Sequence, residues 1–345
     1  MALNAGANRG EDAVAVAEQI AERVLFPAAI ATDLAPAVPR ELLDALAKAG
    51  LYGLFASREV GGLELDREVG ERVIESLAGG CLTTTFVWIQ HLSTAGLISR
   101  LEGPVHDEWA RPLASGERRS GIAFSHLRHP GTPSLTATPV AGGYRVDGVA
   151  PLVTGWGLID VVHVAARLGP DIVWLLVDAV ASPTLDASRL ELAAVNASAT
   201  VALRFSGHEV PKSRLTEIQP LDEWLAKDAA GLRTNGFLSL GVAGRCLALL
   251  GENGGIDLEH VRAGLVSASP EELPDARARA SLVALEVAAM LIAAGGGRSM
   301  VREANAQRLG REALFLLVQG QTAAIRSAQL RQLAARGRSP HGEED

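Results

Sequence analysis

Cysteine is scarce in this chain of 345 residues, which contains only Cys81 and Cys246. The two residues lie in different parts of the sequence, which argues against a disulfide framework and against a metal site built from cysteines. We therefore predict no bound metal and a reducing, intracellular environment.

The sequence also lacks an excess of positive charge, because 32 Lys and Arg residues stand against 40 Asp and Glu residues, for a net charge of −8. No basic block offsets this balance, which argues against a nucleic-acid partner. Acidic residues interrupt the opening segment, so no secretory signal is predicted. The longest apolar run, at 281–294, contains Glu286 and is too short to span a bilayer. We expect a cytoplasmic protein with no membrane partner.

Apolar residues at helical spacing predict a helical block in the first third of the chain. The predicted helices lie at 11–26, 40–48, 67–77, 83–97 and 106–113, with a proline-containing link after the first. The fourth of these is apolar on nearly every side, so it is predicted to be buried. It contains His91, which is either a hydrogen-bonded core residue or part of a pocket wall.

The pattern changes between residues 120 and 169, where apolar and polar residues alternate in short runs. Turn signals such as Gly142-Gly143 separate these runs, at 135–140, 144–149 and 160–167. Alternation of this kind predicts antiparallel strands with one buried face.

Helical periodicity returns at 221–250 and again at 275–294, and the second helix ends in three glycines that begin at Gly295. The segment at 251–274 breaks the pattern, which predicts that one helix of this block is truncated. The polar tail at 336–345 is predicted to be disordered.

Three phrases, in this order along the chain, resemble motifs of the acyl-CoA dehydrogenase family. RPLASGERRSGIAFS is similar to the family's Ala-Ser-Gly-Glu and Gly-x-Ala-x-Thr/Ser approach to its β domain. GGYRVDGVAPLVTGWGLIDVVHVAAR is similar to its strand pair Gly-Tyr-x-Leu-x-Gly-x-Lys-x-Trp-Ile-Thr-Asn-Gly and the strand after it. GGGRSMVREANAQRLGREALFLLVQGQTAAIR is similar to its C-terminal pattern of Gly-Gly, Arg-Leu-x-Arg-Asp and Glu-Gly-Thr. The resemblance extends over residues 11–335.

This resemblance implies an α+β multidomain fold. A helical N-terminal domain at 1–118 would precede an antiparallel β-barrel-like middle domain at 119–217 and a C-terminal helical bundle at 218–335, before the tail at 336–345. In the family, FAD lies between the middle domain and the C-terminal helices, and a neighbouring subunit completes the site. The implied cofactor is therefore FAD, and the implied assembly is a homodimer, a homotetramer or a hetero-oligomer with a homologue.

The family pattern also implies which residues meet the flavin. Ser125 matches the hydroxyl residue at the pyrimidine edge, and Thr154 matches the hydroxyl residue near flavin N5. Hydroxyl groups at rigid strand ends suit a flavin edge, which alternates hydrogen-bond donors and acceptors. The alternative is that both hydroxyls only satisfy strand-end backbone groups. The full set implied to bind the cofactor is Phe124, Ser125, His126, Val153, Thr154, Gly295, Gly296 and Arg298.

Three of the implied sites have a simpler explanation beside the functional one. The glycine run is either a helix stop or a close backbone approach to the adenosine end of FAD, with Arg298 as the phosphate partner. His126, Arg128 and His129 either attract a carboxylate, a phosphate or CoA, or belong to a solvated basic loop. Trp156 is either an aromatic wall or a core residue. The substrate residues implied are His91, Arg128 and Trp156.

The catalytic base of the family is the main departure. Removal of a proton α to a thioester needs a carboxylate with a suitable pKa. The family's usual Glu position is Gln319 here, and the position used by a subset of the family is Asn235. Neither amide can act as a base, so the reaction would need Glu303, Glu312 or a histidine instead. Leu152 also stands where the family has a Trp.

Three functions remain open on this basis. The first is an FAD-dependent oxidoreductase of the acyl-CoA dehydrogenase type, acting on an acyl-CoA or a related substrate. The second is a flavin-dependent monooxygenase of the same fold, which needs no such Glu. The third is a non-catalytic subunit that pairs with an active homologue. Arg308 and Arg311 resemble the family's Arg pair, but pairing with Glu303 or Glu312 at helical spacing predicts a structural role for them.

Overall fold

The computed structural model describes residues 9–128, 131, 133–251 and 255–336. The chain divides into two compact units, residues 1–226 and 227–345. The predicted tail at 336–345 lies outside the described residues, except for Arg336.

Six α-helices open the first unit. They are α1 (Arg9–Ile20), α2 (Phe26–Leu34), α3 (Arg40–Lys48), α4 (Arg67–Gly80), α5 (Leu82–Ile98) and α6 (Pro104–Ser115). All five predicted helices are confirmed, and α5 is buried on most of its surface as expected. The predicted link after the first helix is wrong, because a π-helical segment at Ala21–Leu25 continues it into α2. Pro27 is the second residue of α2, and because the preceding segment is also helical, its missing N–H removes one hydrogen bond from the continuous helix.

Eight strands follow. They are β1 (Ser120–Ala123), β2 (Leu135–Val140), β3 (Gly143–Val153), β4 (Val161–Leu168), β5 (Asp171–Asp178), β6 (Leu185–Arg189), β7 (Val201–Pro211) and β8 (Leu215–Pro220). They form one sheet in the order β6-β7-β3-β2-β4-β5-β8, and β1 pairs with β4. The predicted β2–β3 hairpin is confirmed, with Gly142 at φ +89° in its turn.

The sheet is mixed, whereas the sequence alone predicted antiparallel strands. β1 and β4 run parallel over four residue pairs, and β2 meets β4 in parallel at Thr136 and Arg167. The expectation of one buried face is also wrong for β4 and β5, which are buried almost continuously. Helical residues such as Ile98 and Leu113 cover one face of these strands, because they pack against Val161 and Leu176. A second apolar cluster covers the other face.

The second unit is helical. Its helices are α7 (Leu221–Leu250, which begins in the first unit), α8 (Leu258–Ser267), α9 (Leu273–Gly295), α10 (Asn305–Val318) and α11 (Ala323–Arg336). The segment at 251–274, where a truncated helix is predicted, contains the ten residues of α8. The Asp257 side chain caps this helix by accepting hydrogen bonds from the backbone N–H groups of Glu259 (2.9 Å) and His260 (3.2 Å).

The order of helices, sheet and helices confirms the predicted fold class. The predicted boundary after residue 118 falls between α6 and β1, and the one after residue 217 falls inside β8. Leu273–Met300 is long and apolar enough to cross a membrane by length and composition alone, a test that buried core helices also satisfy.

Candidate functional site

The end of β1 carries the first predicted cofactor residues. A 3₁₀ turn at Ser125–Arg128 follows the strand, and Ser125 is half-buried within it. Among the described residues, no side chain or backbone group forms a hydrogen bond with the Ser125 hydroxyl. His126 is buried instead, and its Nε2 lies 2.9 Å from the carbonyl oxygen of Ala165 on β4. His126 therefore fixes the turn to the sheet and leaves Ser125 as the polar group that a ligand can reach.

Phe124 and Arg128 belong to an aromatic cluster that the sequence did not reveal. The Phe124 ring lies 5.6 Å from Trp224 and 6.3 Å from Trp174, and the Arg128 guanidinium stacks over it at 5.0 Å. His163 lies 4.5 Å from Trp174, and burial lowers the pKa of His163 to about 3, so its ring is neutral. The Arg128 guanidinium thus packs against an aromatic ring. His129, the other cationic residue of the predicted basic loop, lies outside the described residues.

Thr154 follows β3 directly and is buried. Its Oγ1 lies 3.2 Å from Thr200 Oγ1, which in turn lies 2.8 Å from Ser198 Oγ, so three hydroxyls form a chain. The adjacent Gly121 lies so close that a Cβ there would come within 3.1 Å of the Thr154 carbonyl oxygen. The nearest atom to such a Cβ would be Ile159 Cδ1, at 2.6 Å, so the Ile159 side chain and the end of β3 together fill the space beside Gly121.

A strained turn holds the end of β3 in place. Val195 and Ala199 both have φ of +51°, which costs free energy in residues other than glycine. The turn between them accepts backbone hydrogen bonds from Gly155 N–H (2.9 Å, to Ser198) and Trp156 N–H (3.1 Å, to Ala199). Strain of this kind persists where surrounding structure fixes it, and here it fixes the position of Thr154.

The residues around Thr154 differ in exposure. Val153 is fully buried and pairs with Val201, so its side chain belongs to the sheet core. Leu152 is 52% exposed, which puts an apolar group on the surface beside the predicted flavin position. Trp156 is half-buried and packs against the sheet core, which favours the core reading of this residue.

His91 has no ring nitrogen available to a substrate. Its Nε2 lies 3.0 Å from the Leu113 carbonyl oxygen, and its Nδ1 accepts a 3.0 Å hydrogen bond from the Ser120 N–H. Burial lowers the pKa of His91 to about 3, so the ring is neutral and Nε2 carries the donated proton. Of the two readings for His91, the structure supports the hydrogen-bonded core residue, which ties α5 to α6 and β1.

The glycine run in the second unit is explained by the way in which α9 ends. A Cβ at Gly295 would lie 2.2 Å from Ser299 Oγ, and that hydroxyl donates to the Ile292 carbonyl oxygen at 2.9 Å. Gly296 has φ of +57°. Both glycines are therefore required by the helix stop itself. Arg298 is exposed, so it is available to an anionic ligand.

Gln319 and Asn235, the two residues at the family's base positions, lie together in the second unit. Gln319 Nε2 donates to Asn235 Oδ1 at 3.4 Å. Both side chains are half-buried. Gly320, next to them, has φ of +61°, and a Cβ there would come within 2.6 Å of Asn235 Nδ2. Glu312, one of the residues suggested as an alternative base, cannot serve as one, because it is buried and paired with Arg308 at 2.7 Å.

Arg277 lies beneath these amides and was missed in the sequence. It donates to the Gln319 backbone oxygen at 3.2 Å, to Gln319 Oε1 at 3.5 Å and to Ser239 Oγ at 3.4 Å. Only 1% of the residue is exposed, and burial lowers the pKa of its guanidinium to about 10, so it stays charged at neutral pH. A signal existed, since Arg277 continues the buried helical face formed by Leu273, Ala280 and Ala284.

Comparison with known proteins adds independent information. Residues 10–117 match the family described as the acyl-CoA dehydrogenase N-terminal domain. The chain is 29% identical over 245 residues to the mitochondrial isobutyryl-CoA dehydrogenase of Dictyostelium discoideum, covering 67% of this chain and 58% of the relative. It is 30% identical over 238 residues to benzylmalonyl-CoA dehydrogenase of Aromatoleum aromaticum, covering 64% and 61%. The matches thus cover about three fifths of each relative's length.

The fold has counterparts among solved structures. One is a glutaryl-CoA dehydrogenase from Mycobacterium smegmatis in complex with FADH2, which superposes with a TM-score of 0.79 at 17% identity. The match covers 96% of this chain and 95% of that one. At this identity the likeness shows a shared fold.

Proposed function

We propose that this chain, which belongs to the acyl-CoA dehydrogenase family, is an FAD-dependent oxidoreductase that acts on an acyl-CoA or a related substrate. The observation that carries the proposal is the hydroxyl group of Thr154, held at the end of β3 by a strained turn and approached by Gly121. An enzyme that orients a flat cofactor needs a polar group fixed on a rigid element in this way.

The residues present fit a flavin. Ser125 offers a half-buried hydroxyl after β1, and Thr154 offers a second hydroxyl at the end of β3. When bound, FAD supplies the acceptor for a hydride from the substrate. The chain's contribution is to hold the flavin edge with Ser125 and Thr154.

Replacement of Thr154 by Val tests the cofactor site. The variant removes a hydroxyl and keeps the side-chain shape, so we expect FAD affinity to fall roughly three- to tenfold, the loss of one hydrogen bond. FAD titration and the flavin absorption spectrum of the desalted protein measure this. Thr200→Val is the matched control. It removes the next hydroxyl in the same hydrogen-bonded chain and leaves the Thr154 hydroxyl in place. Equal FAD affinity and spectra in the wild type and Thr154→Val would overturn the assignment.

The amides at Gln319 and Asn235 favour a second candidate. Reduced flavin that reacts with oxygen needs no carboxylate base, so a flavin monooxygenase of the same fold is compatible with these residues. Anaerobic bleaching of the flavin by an acyl-CoA would support dehydrogenation. Oxygen consumption with reduced flavin would support the monooxygenase, and a desalted protein without flavin would support a non-catalytic subunit.

We also propose a homo-oligomer located in the cytoplasm. Large apolar side chains on α10 and α11 are exposed in the single chain, at 55% for Leu314, 61% for Val318 and 62% for Leu330. Exposure of several such residues is typical of a surface that another chain covers. Light scattering coupled to gel filtration measures the mass, and a monomer at micromolar concentration would contradict this proposal.

A further inference from the structure

Arg277 is a buried cation that the described residues of its own unit do not neutralise. Its described hydrogen-bond partners are the neutral groups of Ser239 and Gln319. Its Nε has no hydrogen-bond partner, and no carboxylate among the described residues of this unit lies within ion-pair distance. A buried charge is strongly unfavourable unless it is paired and fully hydrogen-bonded. The C-terminal end of α10, capped by Gln319, offsets part of this charge through its dipole.

The charge of Arg277 determines how the amides above it are oriented. A guanidinium can only donate hydrogen bonds, so the side-chain oxygen of Gln319 faces Arg277. Gln319 Nε2 then points to Asn235, and its hydrogen bond occupies the Asn235 oxygen. The Asn235 Nδ2 group therefore remains as a donor, and no described residue of this unit accepts from it. The cluster presents N–H groups where a base would present a carboxylate.

The amides are accessible although the cation is not. Asn235 and Gln319 are half-buried, whereas Arg277 is 1% exposed. Gly320 has no side chain to cover Asn235 Nδ2, since a Cβ there would lie 2.6 Å from that nitrogen. A ligand would contact the amides, and Arg277 would act from behind Gln319.

We propose that Asn235 and Gln319, positioned by Arg277, bind a carboxylate on the acyl chain of the substrate. This inference rests on the proposed function and narrows it to thioesters that carry a second acid group. Asn235 and Gln319 contact the carboxylate in this site, and Arg277 is a positioning residue that supplies the compensating charge. A fully negative group suits the site better than a thioester oxygen because the buried charge is a full positive one.

Affinity for two thioesters tests the site. Adipoyl-CoA and hexanoyl-CoA have the same number of carbons and differ in the terminal group, a carboxylate or a methyl. We expect the full-length protein to bind adipoyl-CoA about tenfold more tightly or better, as a charge-assisted hydrogen bond predicts. Isothermal titration measures both affinities. In Arg277→Met the ratio of the two affinities falls to about one, and Arg277→Lys restores part of the preference.

Arg279→Met is the matched control. This residue lies two positions along α9, is 48% exposed and forms a 4.0 Å ion pair with Glu286, so its loss removes the same charge from the surface. We expect Arg279→Met to keep the preference for adipoyl-CoA. A preference that survives in Arg277→Met, or disappears equally in Arg279→Met, overturns the site.

Failure of the inference can be told from failure of the proposed function. Equal binding of both thioesters by the wild type overturns the carboxylate site and leaves the proposed function in place. If neither thioester binds, the proposed function fails, and free adipate tests the cluster alone. Adipate should then raise the Tm of the wild type and Arg279→Met, relative to NaCl at equal ionic strength, but not that of Arg277→Met. No Tm increase in the wild type would overturn the site.

Discussion

Two arginines in the C-terminal unit are buried to the same degree but have different partners for their positive charge. Arg308 and Arg277 are each 1% exposed. Arg308 donates to Glu312 Oε1 at 2.7 Å, one helical turn along α10, and to Asn305 Oδ1 at 3.1 Å. Within the described part of the chain, Arg277 donates hydrogen bonds to neutral groups alone, contributed by α7 and by the residue after α10.

The difference separates a structural cation from a functional one. When a buried arginine is paired with a carboxylate of the same chain, its charge is compensated within the fold and is not available to a ligand. A buried arginine without one lowers the stability of the folded chain, and such a cost is typical of functional positions. The four predictions below test whether these two regions differ in this way.

The largest expected effect is on the complete pair. Glu312→Gln leaves the Arg308 cation buried without its anion, and we expect the free energy of unfolding to fall by about 3–5 kcal/mol. Urea unfolding followed by circular dichroism measures the loss. Glu286→Gln, which breaks half-exposed ion pairs of α9, should cost less than about 1 kcal/mol. Equal losses in the two variants would contradict a special role for burial.

Replacement of Arg277 should lower the free energy of unfolding much less than Glu312→Gln does, or raise it. Arg277→Met removes an uncompensated charge together with a few weak hydrogen bonds, so we expect a change within about 2 kcal/mol of zero. Burial lowers the pKa of Arg277 to about 10, below its unfolded value, so the cost applies in full below that pH. The wild type should therefore gain stability relative to Arg277→Met as pH rises above about 10. Urea titrations at pH 8, 9, 10 and 11 test the sign.

The contrast also explains what the sequence could predict. The pairing of Arg308 with Glu312 follows from their spacing of one helical turn, and the structure confirms it. The order of helices and strands follows from periodicity, which is local as well. Arg277 was missed because its contacts, Ser239 and Gln319, are 38 and 42 residues away in the sequence. The aromatic cluster of Phe124, Trp174 and Trp224 was missed for the same reason.

The two candidate flavin hydroxyls occupy an intermediate position. Ser125 and Thr154 were identified by resemblance. The alternation of the sequence did not predict β1, which precedes Ser125, and it predicted that the strand before Thr154 ends at residue 149, whereas β3 continues to Val153. The strained turn that holds Thr154 could not be predicted, because it depends on positive φ values at Val195 and Ala199, and valine and alanine rarely adopt them. Their role in flavin binding stays a prediction.

A single substitution should make the Arg277 region resemble the Arg308 region. Gln319→Glu places a carboxylate about where Oε1 lies, 3.5 Å from the guanidinium, so the new ion pair should stabilise the fold by roughly 1–3 kcal/mol at pH 7. The pKa of the new carboxyl would be lowered by Arg277, so the gain should vanish as pH falls below about 4. Gln319→Glu in the Arg277→Met background is the control and should show no gain. A gain in both backgrounds would mean that Arg277 does not interact with this side chain.

The smallest expected effect concerns the hydroxyl beside Arg277. Ser239 Oγ accepts from the guanidinium at 3.4 Å, a long contact, so Ser239→Ala should cost about 0.5–1 kcal/mol in the wild type. In the Arg277→Met background the hydroxyl has lost its donor, and the same change should cost nothing or stabilise the fold. The difference between the two costs is the coupling energy of the pair, and urea unfolding of the four proteins measures it. Asn305→Ala with and without Arg308 provides the matched cycle in the other region. A coupling at Ser239 as large as that at Asn305 would mean that neutral groups alone hold Arg277 as well as Arg308 is held, and the reason to expect an anion there would disappear.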